Sequence, residues 1–487
     1  MHQSKLLELL RTFSPRQLGR LRDFLDSPYF NRAGDVVQFF DYLTPYAPAF
    51  EHPALAKDFL IKQFKPDKPL NEKRLAYLMN QLLGLAESFV AIESFRFDPL
   101  KEPFTLVQAF ASAGLTRHLK NALDKAVSAL EDFPYRNAEY YAETYRWAAL
   151  QYDQSNQMQH QFNPDLQKAS DDLDAFYLVE KLRYCLAMAD TESILNLKYD
   201  WGLGVRLLDR DNLEQFSLNP TLEIYQTGIL MAQNPADTTY FYRQKELLFQ
   251  YDSRFNENEQ KLLYSSLLNY CSRRINQYND QPFFTEYFEI NRVLLERGLL
   301  FEEGLLSPMR YLNLVNTALR TGQVDWTAQF IRQYRDRLPE AYAEDMYLMA
   351  MGQYHFHLGE YTQAQIPLNQ ANPHNAQLAV MVRNLLARIY YETGETELLL
   401  SFLEAYRVYL LRQELLNPQM KKQARRFIDF TRRLAKIDKP EAHLLPKLLA
   451  ELPPATEIYH RDWLALQIEK RMKDPGRQAG NMSRPEF

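Results

Sequence analysis

The most constraining feature of this chain is a glycine that recurs in one local setting. Gly322, Gly359 and Gly394 each follow one apolar helical pattern and precede another, at spacings of 37 and 35 residues. Glycine at such a junction favours a tight turn, because it adopts the left-handed backbone conformation without a side-chain clash. Turns that repeat at this period indicate stacked helical hairpins.

The composition agrees with a large helical protein. The chain has 487 residues, of which 46% are apolar and only 15 are glycine. So few glycines disfavour phosphate-binding loops and turn-rich barrels. Most of the 25 prolines separate segments with helical periodicity, as helix-ending residues do. We therefore predict an all-α fold, in which a helical N-terminal domain is followed by an α-solenoid of helical hairpins.

The breaks between helical patterns divide the chain into five predicted regions. A compact helical domain is expected at 1–98, and an array of helical pairs with degenerate repeats at 104–306. The glycine-marked repeats occupy 307–413, and basic capping helices follow at 414–473. The segment 474–487 is rich in glycine and proline and is expected to be disordered.

Charge and cysteine content limit the protein's class. The net charge of −5 does not favour nucleic-acid binding by the chain as a whole. Cys185 and Cys271 lie far apart in apolar helical patterns, which predicts buried free thiols. The chain lacks an uninterrupted apolar run of about 18 residues, the length that a membrane-spanning helix requires. A soluble cytoplasmic protein is the resulting expectation.

The best-formed repeat, at 344–373, has small, apolar and aromatic residues at helical spacing. The residues that define it are Leu348, Met351, Gly352, Gly359, Tyr361, Ala364, Ala371 and Pro373. This pattern resembles the tetratricopeptide (TPR) repeat, and the resemblance extends over about 307–413. Pro367, inside the second helix, departs from the family pattern. The resemblance implies a TPR-like solenoid in which the first helix of each pair lines a concave groove.

The resemblance also implies which residues face a partner. The predicted groove residues are Asn316, Arg320, Gln353, Phe356, His357, Asn384, Arg388 and Tyr391. Their mixed character suits a peptide segment, and Arg320 and Arg388 suit an acidic side chain or a terminal carboxylate. We therefore expect a non-catalytic protein–protein interaction or scaffold protein that binds a peptide or protein segment. Ordinary solvated polar residues would produce the same pattern.

A second charged feature is a basic helical stretch at 421–439. The predicted basic patch comprises Lys421, Lys422, Arg425, Arg426, Arg432 and Arg433. This pattern is compatible with a solvated outer face of a capping helix, with an acidic protein partner, or with RNA or DNA. The basic face lacks the stacking aromatics that nucleic-acid recognition usually adds. Nucleic-acid binding is therefore the alternative function.

Motifs for chemistry are weak in this chain. His460-Arg461-Asp462 matches a fragment of a protein-kinase motif, but the glycine-rich loop is missing; we expect the tripeptide to begin a terminal helix. His355 and His357 point roughly 200° apart on a helix and so cannot share a metal ion. No cofactor, no metal and no catalytic residue are expected. An enzyme with an unrecognised site, assembled from distant residues, remains a further alternative.

Overall fold

The computed structural model describes residues 4–64, 70–155, 162–195, 197–204, 219–278, 280–373, 375–414 and 416–473. The predicted disordered segment 474–487 lies outside these residues. The described part is all-α, as predicted: it forms 22 helices and one small hairpin, whose two strands have two residues each. Two compact units divide the chain, one of Met1–Pro134 and Glu139–Leu173, the other of Tyr135–Ala138 and Asp174–Phe487. The finer domain boundaries stay predictions.

The N-terminal unit begins with four helices of 7–12 residues that share a hydrophobic core with a helix of 26 residues. Its helices are α1 (Lys5–Arg11), α2 (Pro15–Asp26), α3 (Gly34–Leu43), α4 (Lys57–Gln63), α5 (Glu72–Phe97), α6 (Lys101–Ser112), α7 (Thr116–Asp132) and α8 (Ala138–Ser155), and α9 (Pro164–Ile194) contains the division between the units. Helix α2 begins with a capping box, in which Ser14 and Gln17 satisfy each other's backbone N–H groups, a local arrangement that fixes where a helix begins.

Helix α5 is the one described helix that is long and apolar enough to cross a membrane, with a mean hydropathy of 1.4 over its most apolar 18 residues. Its Leu78, Leu82 and Ala86 side chains are buried in the core of the N-terminal unit. They pack there with residues of α1, α2 and α3 such as Leu7, Leu21 and Phe39. Length and apolar composition are also what a core helix requires, so α5 carries no separate argument for a membrane.

The C-terminal unit is a succession of helices, each of which contacts the next. These are α10 (Pro220–Gln233), α11 (Thr239–Tyr251), α12 (Glu257–Tyr278), α13 (Pro282–Glu296), α14 (Pro308–Arg320), α15 (Val324–Gln333), α16 (Glu340–His357), α17 (Tyr361–Gln370), α18 (Ala376–Glu392), α19 (Thr396–Arg412), α20 (Pro418–Lys436), α21 (Leu445–Ala450) and α22 (Arg461–Lys473). Alternate helices also touch: α14 contacts α16, α16 contacts α18, and α18 contacts α20. Three helices from different pairs therefore lie side by side.

The three recurrent glycines form the turns that the sequence predicts. Gly322, Gly359 and Gly394 have φ angles of 76°, 76° and 77°. After the first of them, the backbone N–H of Gln323 donates to the carbonyl of Ala318 at 2.8 Å, and the two later copies repeat this bond at 2.9 and 3.1 Å. This six-residue closure is the Schellman motif, which satisfies the last carbonyls of a helix.

Two further glycines end helices in the same way. Gly114 (φ 68°) and Gly298 (φ 77°) are each followed by a residue whose N–H closes the same six-residue turn, at 3.0 and 2.9 Å. After Gly298 comes a small antiparallel hairpin of β1 (Phe301–Glu302) and β2 (Leu305–Leu306). The sequence predicts no strand there, because a two-residue strand is too short to show alternation.

A close helix approach occurs at Gly352, as its place in the repeat suggests. A Cβ at this position would lie 2.6 Å from two carbon atoms of the Leu368 side chain on α17. Real side chains do not approach so closely, so α16 and α17 would have to move apart or Leu368 would have to leave its rotamer. Glycine is therefore required for α16 and α17 to pack at this distance.

We predict that Gly352→Ala lowers the free energy of unfolding by about 1–3 kcal/mol through overpacking. The control is Gly84→Ala in α5, where a Cβ would meet open space; there alanine should stabilise the helix by about 0.5–1 kcal/mol. Denaturant titration followed by circular dichroism measures both. Equal effects at the two positions would contradict the assigned packing.

Candidate functional site

The predicted groove residues lie on three helices that touch one another. Asn316 and Arg320 are on α14, Gln353, Phe356 and His357 on α16, and Asn384, Arg388 and Tyr391 on α18. Most of them fall in the last two turns of their helices, so they are grouped near one end of the three. The structure buries some of these residues and leaves others exposed, because the C-terminal part of the chain packs against α18.

Residues 455–473 form this part of the chain, which we call the C-terminal segment. Trp463 and Gln467 on α22 donate side-chain N–H bonds to Oε1 of the buried Glu392, at 2.7 and 2.8 Å. At the other end of the segment, the 3₁₀ turn Ala455–Glu457 contacts both α12 and α20. The segment therefore contacts α18 through α22, and α12 and α20 through the 3₁₀ turn.

Two of the predicted groove residues are enclosed by this packing. Asn384 is buried, and its Oδ1 accepts a hydrogen bond from the Tyr406 hydroxyl at 3.0 Å. Tyr391 is buried edge-to-face against Trp463, with ring centroids 5.4 Å apart, and burial raises its pKa to about 12. The sequence predicts both at an open surface; the structure uses them as contacts inside the unit, because α19 covers the first and α22 the second.

Arg388 is the central cation of the site. Its guanidinium lies 4.2 Å from the Phe356 ring centroid and 5.5 Å from that of Trp463. Its Nε is buried without a hydrogen-bond partner, and its nearest polar contact is Nη1 to Nδ1 of His460 at 3.5 Å. Desolvation lowers the Arg388 pKa to about 10, an effect that the charge of Glu392 opposes. This arginine is therefore held in place by aromatic rings, and in the described part of the chain no carboxylate forms an ion pair with it.

Arg320, at the end of α14, is held in a similar way. Its guanidinium lies 4.6 Å from the Phe284 ring centroid of α13, a cation–π contact. The side chain is exposed, and it makes no ion pair with any described residue. The surrounding protein still desolvates the guanidinium enough to lower its pKa, an effect that Asp462 opposes. Its charge also acts on Arg388, whose pKa it helps to lower.

The third residue of the site is His460, which belongs to the C-terminal segment. It directly precedes α22 with a left-handed φ of 53°, and its carbonyl accepts the N–H of Leu464 at 3.0 Å. Its ring packs against Phe427 of α20 and keeps an exposed edge. Desolvation, together with the charges of Arg388 and Arg320, holds the His460 pKa well below its usual range, so the ring is neutral at pH 7.

We call Arg320, Arg388 and His460 the cationic cluster. The sequence predicts the first two as groove residues but assigns His460 only to the beginning of the terminal helix, which is where α22 begins. No local signal in the sequence points to His460, since its place beside Arg388 depends on a contact between residues 72 positions apart. The cluster therefore combines two predicted residues with one that only the tertiary structure brings in.

The other predicted groove residues surround this cluster. Phe356 is buried as well, contrary to its predicted place in an open groove, and it contacts Arg388 directly. His357 is half-buried, and burial lowers its pKa. Gln353 is half-buried with a solvent-inaccessible Oε1 that lacks a hydrogen-bond partner, while Asn316 is exposed. Asn316 is thus the one exposed side chain among these four residues.

The predicted basic patch lies on α20, and much of its charge is compensated. Lys422 and Arg426 both pair with Glu457. Arg432 lies 3.8 Å from a Glu404 oxygen, and Arg433 pairs with Glu451.

Lys421 and Arg425 are the patch cations without an ion pair among the described residues; with Lys422 and Arg426 they line an open cleft of about 540 Å³. Glu414 also lines this cleft. The surface of α20 is therefore less positive than the sequence indicates, because the compensating glutamates come from other parts of the chain.

Comparison of the chain with protein-family models, with curated proteins and with solved structures finds no match. Within the described ranges, no three His, Cys, Asp or Glu side chains are grouped so that they could hold a metal ion.

The hydrogen bond between Trp463 and Glu392 provides a test of this geometry. We predict that Trp463→Phe destabilises the C-terminal unit by about 1–3 kcal/mol, because a buried carboxylate loses a donor. It should also accelerate hydrogen exchange in the C-terminal segment. The control Trp326→Phe removes an indole that stacks on Phe330 and should leave exchange in the segment unchanged. Equal protection of the segment in both variants would contradict the contact.

Proposed function

We propose that this protein is a non-catalytic interaction or scaffold protein, with TPR-like helical hairpins that bind an acidic segment of a partner protein at the cationic cluster. The observation that carries this proposal is the state of Arg320 and Arg388. Both are oriented by aromatic rings and have no ion-pair partner within the described part of the chain. The TPR resemblance supports the same reading, as do the alternate-helix contacts between α14, α16 and α18.

Electrostatics favour an anionic ligand at this place. The charge of Arg320 lowers the pKa of Arg388, which is a repulsion between the two cations, and a carboxylate between them would relieve it. A planar guanidinium fixed against a ring keeps its N–H edge available for bidentate bonding to a carboxylate. Because the rings already hold both side chains, little conformational entropy is lost on binding. These features suit an aspartate- or glutamate-containing segment of a protein that shares the expected cytoplasmic compartment.

The direct test is affinity purification with mass spectrometry from native cells. Arg320→Gln and Arg388→Lys should each weaken partner capture by roughly ten- to a hundredfold, since a hydrogen bond to a charged group is worth about 1.5–3 kcal/mol. Arg388→Lys keeps the charge but loses the planar stacking surface. Arg332→Gln, on α15, is the matched control, because Arg332 is exposed and unpaired among the described residues.

Two results would contradict the proposal. One is equal capture of the same partners by all three variants. The other is a captured partner whose bound segment, mapped by cross-linking, contains no acidic residues. Arg320→Gln alters an exposed side chain, so a loss of binding by this variant is not explained by unfolding.

Nucleic-acid binding by α20 is the second candidate, favoured by the cleft that Lys421, Lys422, Arg425 and Arg426 line. The ion pairs with glutamates oppose it, because compensated cations release few counterions from a phosphate backbone. We expect RNA and DNA to give no mobility shift at about 150 mM salt, the ionic strength of a cell. A salt-dependent shift that Lys421→Glu with Arg425→Glu abolishes would make this alternative the better account.

A further inference from the structure

His460 is the third residue of the cationic cluster, and the proposed function assigns a role only to the two arginines. The ring lies beside Arg388 but accepts no strong bond from it, since 3.5 Å is the outer limit of a hydrogen bond. Its backbone adopts a left-handed conformation, which is uncommon for a residue other than glycine. The ring is thus held at the cluster by its position before α22 and by its contact with Phe427.

On the basis of the proposed function, we propose that His460 takes up a proton when an acidic segment binds, and then serves as the third cationic donor to its carboxylate. The inference adds regulation to the same site: binding becomes tighter as the pH falls. Its geometric basis is the position of the exposed His460 beside the half-buried Arg388, whose Nη1 lies 3.5 Å from Nδ1 of the ring.

The sign of the effect follows from the charges around the ring. In the free protein, desolvation and the two arginines keep His460 neutral by lowering its pKa. A carboxylate that binds between the arginines opposes their effect and so favours the imidazolium, while desolvation, the larger cause of the lowered pKa, remains. The His460 ring is therefore protonated to a greater extent in the complex than in the free protein, so affinity rises as pH falls from the pKa of the complex towards that of the free protein.

Glu392 raises the pKa of Arg388 and Asp462 raises that of Arg320, so two carboxylates compensate the arginines in part. Glu392 is engaged by Trp463 and Gln467, and Asp462 acts on Arg320 without an ion pair within 4.0 Å among the described residues. On the α20 side, Arg426 is paired with Glu457. The remaining titratable neighbours, Tyr361, Tyr391 and Tyr459, have pKa values raised to about 12 by burial and stay neutral.

Isothermal titration calorimetry of the full chain with a synthetic hexaglutamate peptide tests this inference. Titrations at pH 6.5, in two buffers of different ionisation enthalpy, give the number of protons taken up. We expect the uptake of a fraction of one proton, and an affinity that rises as the pH falls from 7.5 to 6.0, within the limit of about tenfold per pH unit for one proton.

His460→Asn should abolish the proton uptake, while asparagine tolerates the left-handed backbone. The matched control, His443→Gln, changes an exposed histidine on the 3₁₀ segment Lys439–Leu444 and should behave like the unaltered protein.

Three outcomes separate this inference from the proposed function. Uptake that disappears in His460→Asn but persists in His443→Gln supports it. Peptide binding that requires Arg320 and Arg388 but takes up no proton, or takes up the same number in His460→Asn, overturns the inference and leaves the proposed function standing. Absence of peptide binding at every pH overturns the acidic-segment proposal itself, and with it the role of His460.

Discussion

The C-terminal unit depends on one buried carboxylate, Glu392. An ionised group inside a protein is tolerated only where hydrogen bonds replace its water, and Trp463 and Gln467 provide two such bonds. These bonds fix α22 against α18, and fixing α22 has two consequences. The Trp463 ring covers Tyr391 and flanks Arg388, and the residue just before α22, His460, is placed beside that same arginine.

The cationic cluster that results combines rigidity with an unbalanced charge. Aromatic rings hold both arginines at 4.2–4.6 Å, a contact that orients a guanidinium without neutralising it. Arginines used only for structure are usually paired with carboxylates, as Arg426 and Arg433 are on α20. On α20, most cations are neutralised by ion pairs with glutamates of the same chain. The arginines of the cluster have no ion pair among the described residues, so their charge is available to a ligand. This contrast favours the cluster over the basic patch as the place where a partner binds.

The sequence predicted those features that depend on neighbouring residues. Helical periodicity gave the all-α class, and Gly322, Gly359 and Gly394 marked their turns because a left-handed helix end is a local requirement. Features that depend on distant residues could not be predicted. Trp463 and Glu392 lie 71 positions apart, so nothing in the sequence showed that Tyr391 would be covered. The glutamates that compensate the basic patch were hidden for the same reason. Gly298 was missed because its spacing from Gly322 is 24 residues, outside the period of the repeat.

The central claim is that a partner's acidic segment contacts the cationic cluster in the cell. Site-specific photo-cross-linking tests it most directly, with p-benzoylphenylalanine placed at the exposed Asn316, one turn before Arg320 on α14, or at Arg332 on α15 as the comparison. The account predicts a partner cross-linked from position 316 but not from position 332, with the attached peptide rich in aspartate or glutamate. Cross-links formed only from position 332, or a peptide without acidic residues at position 316, would contradict it.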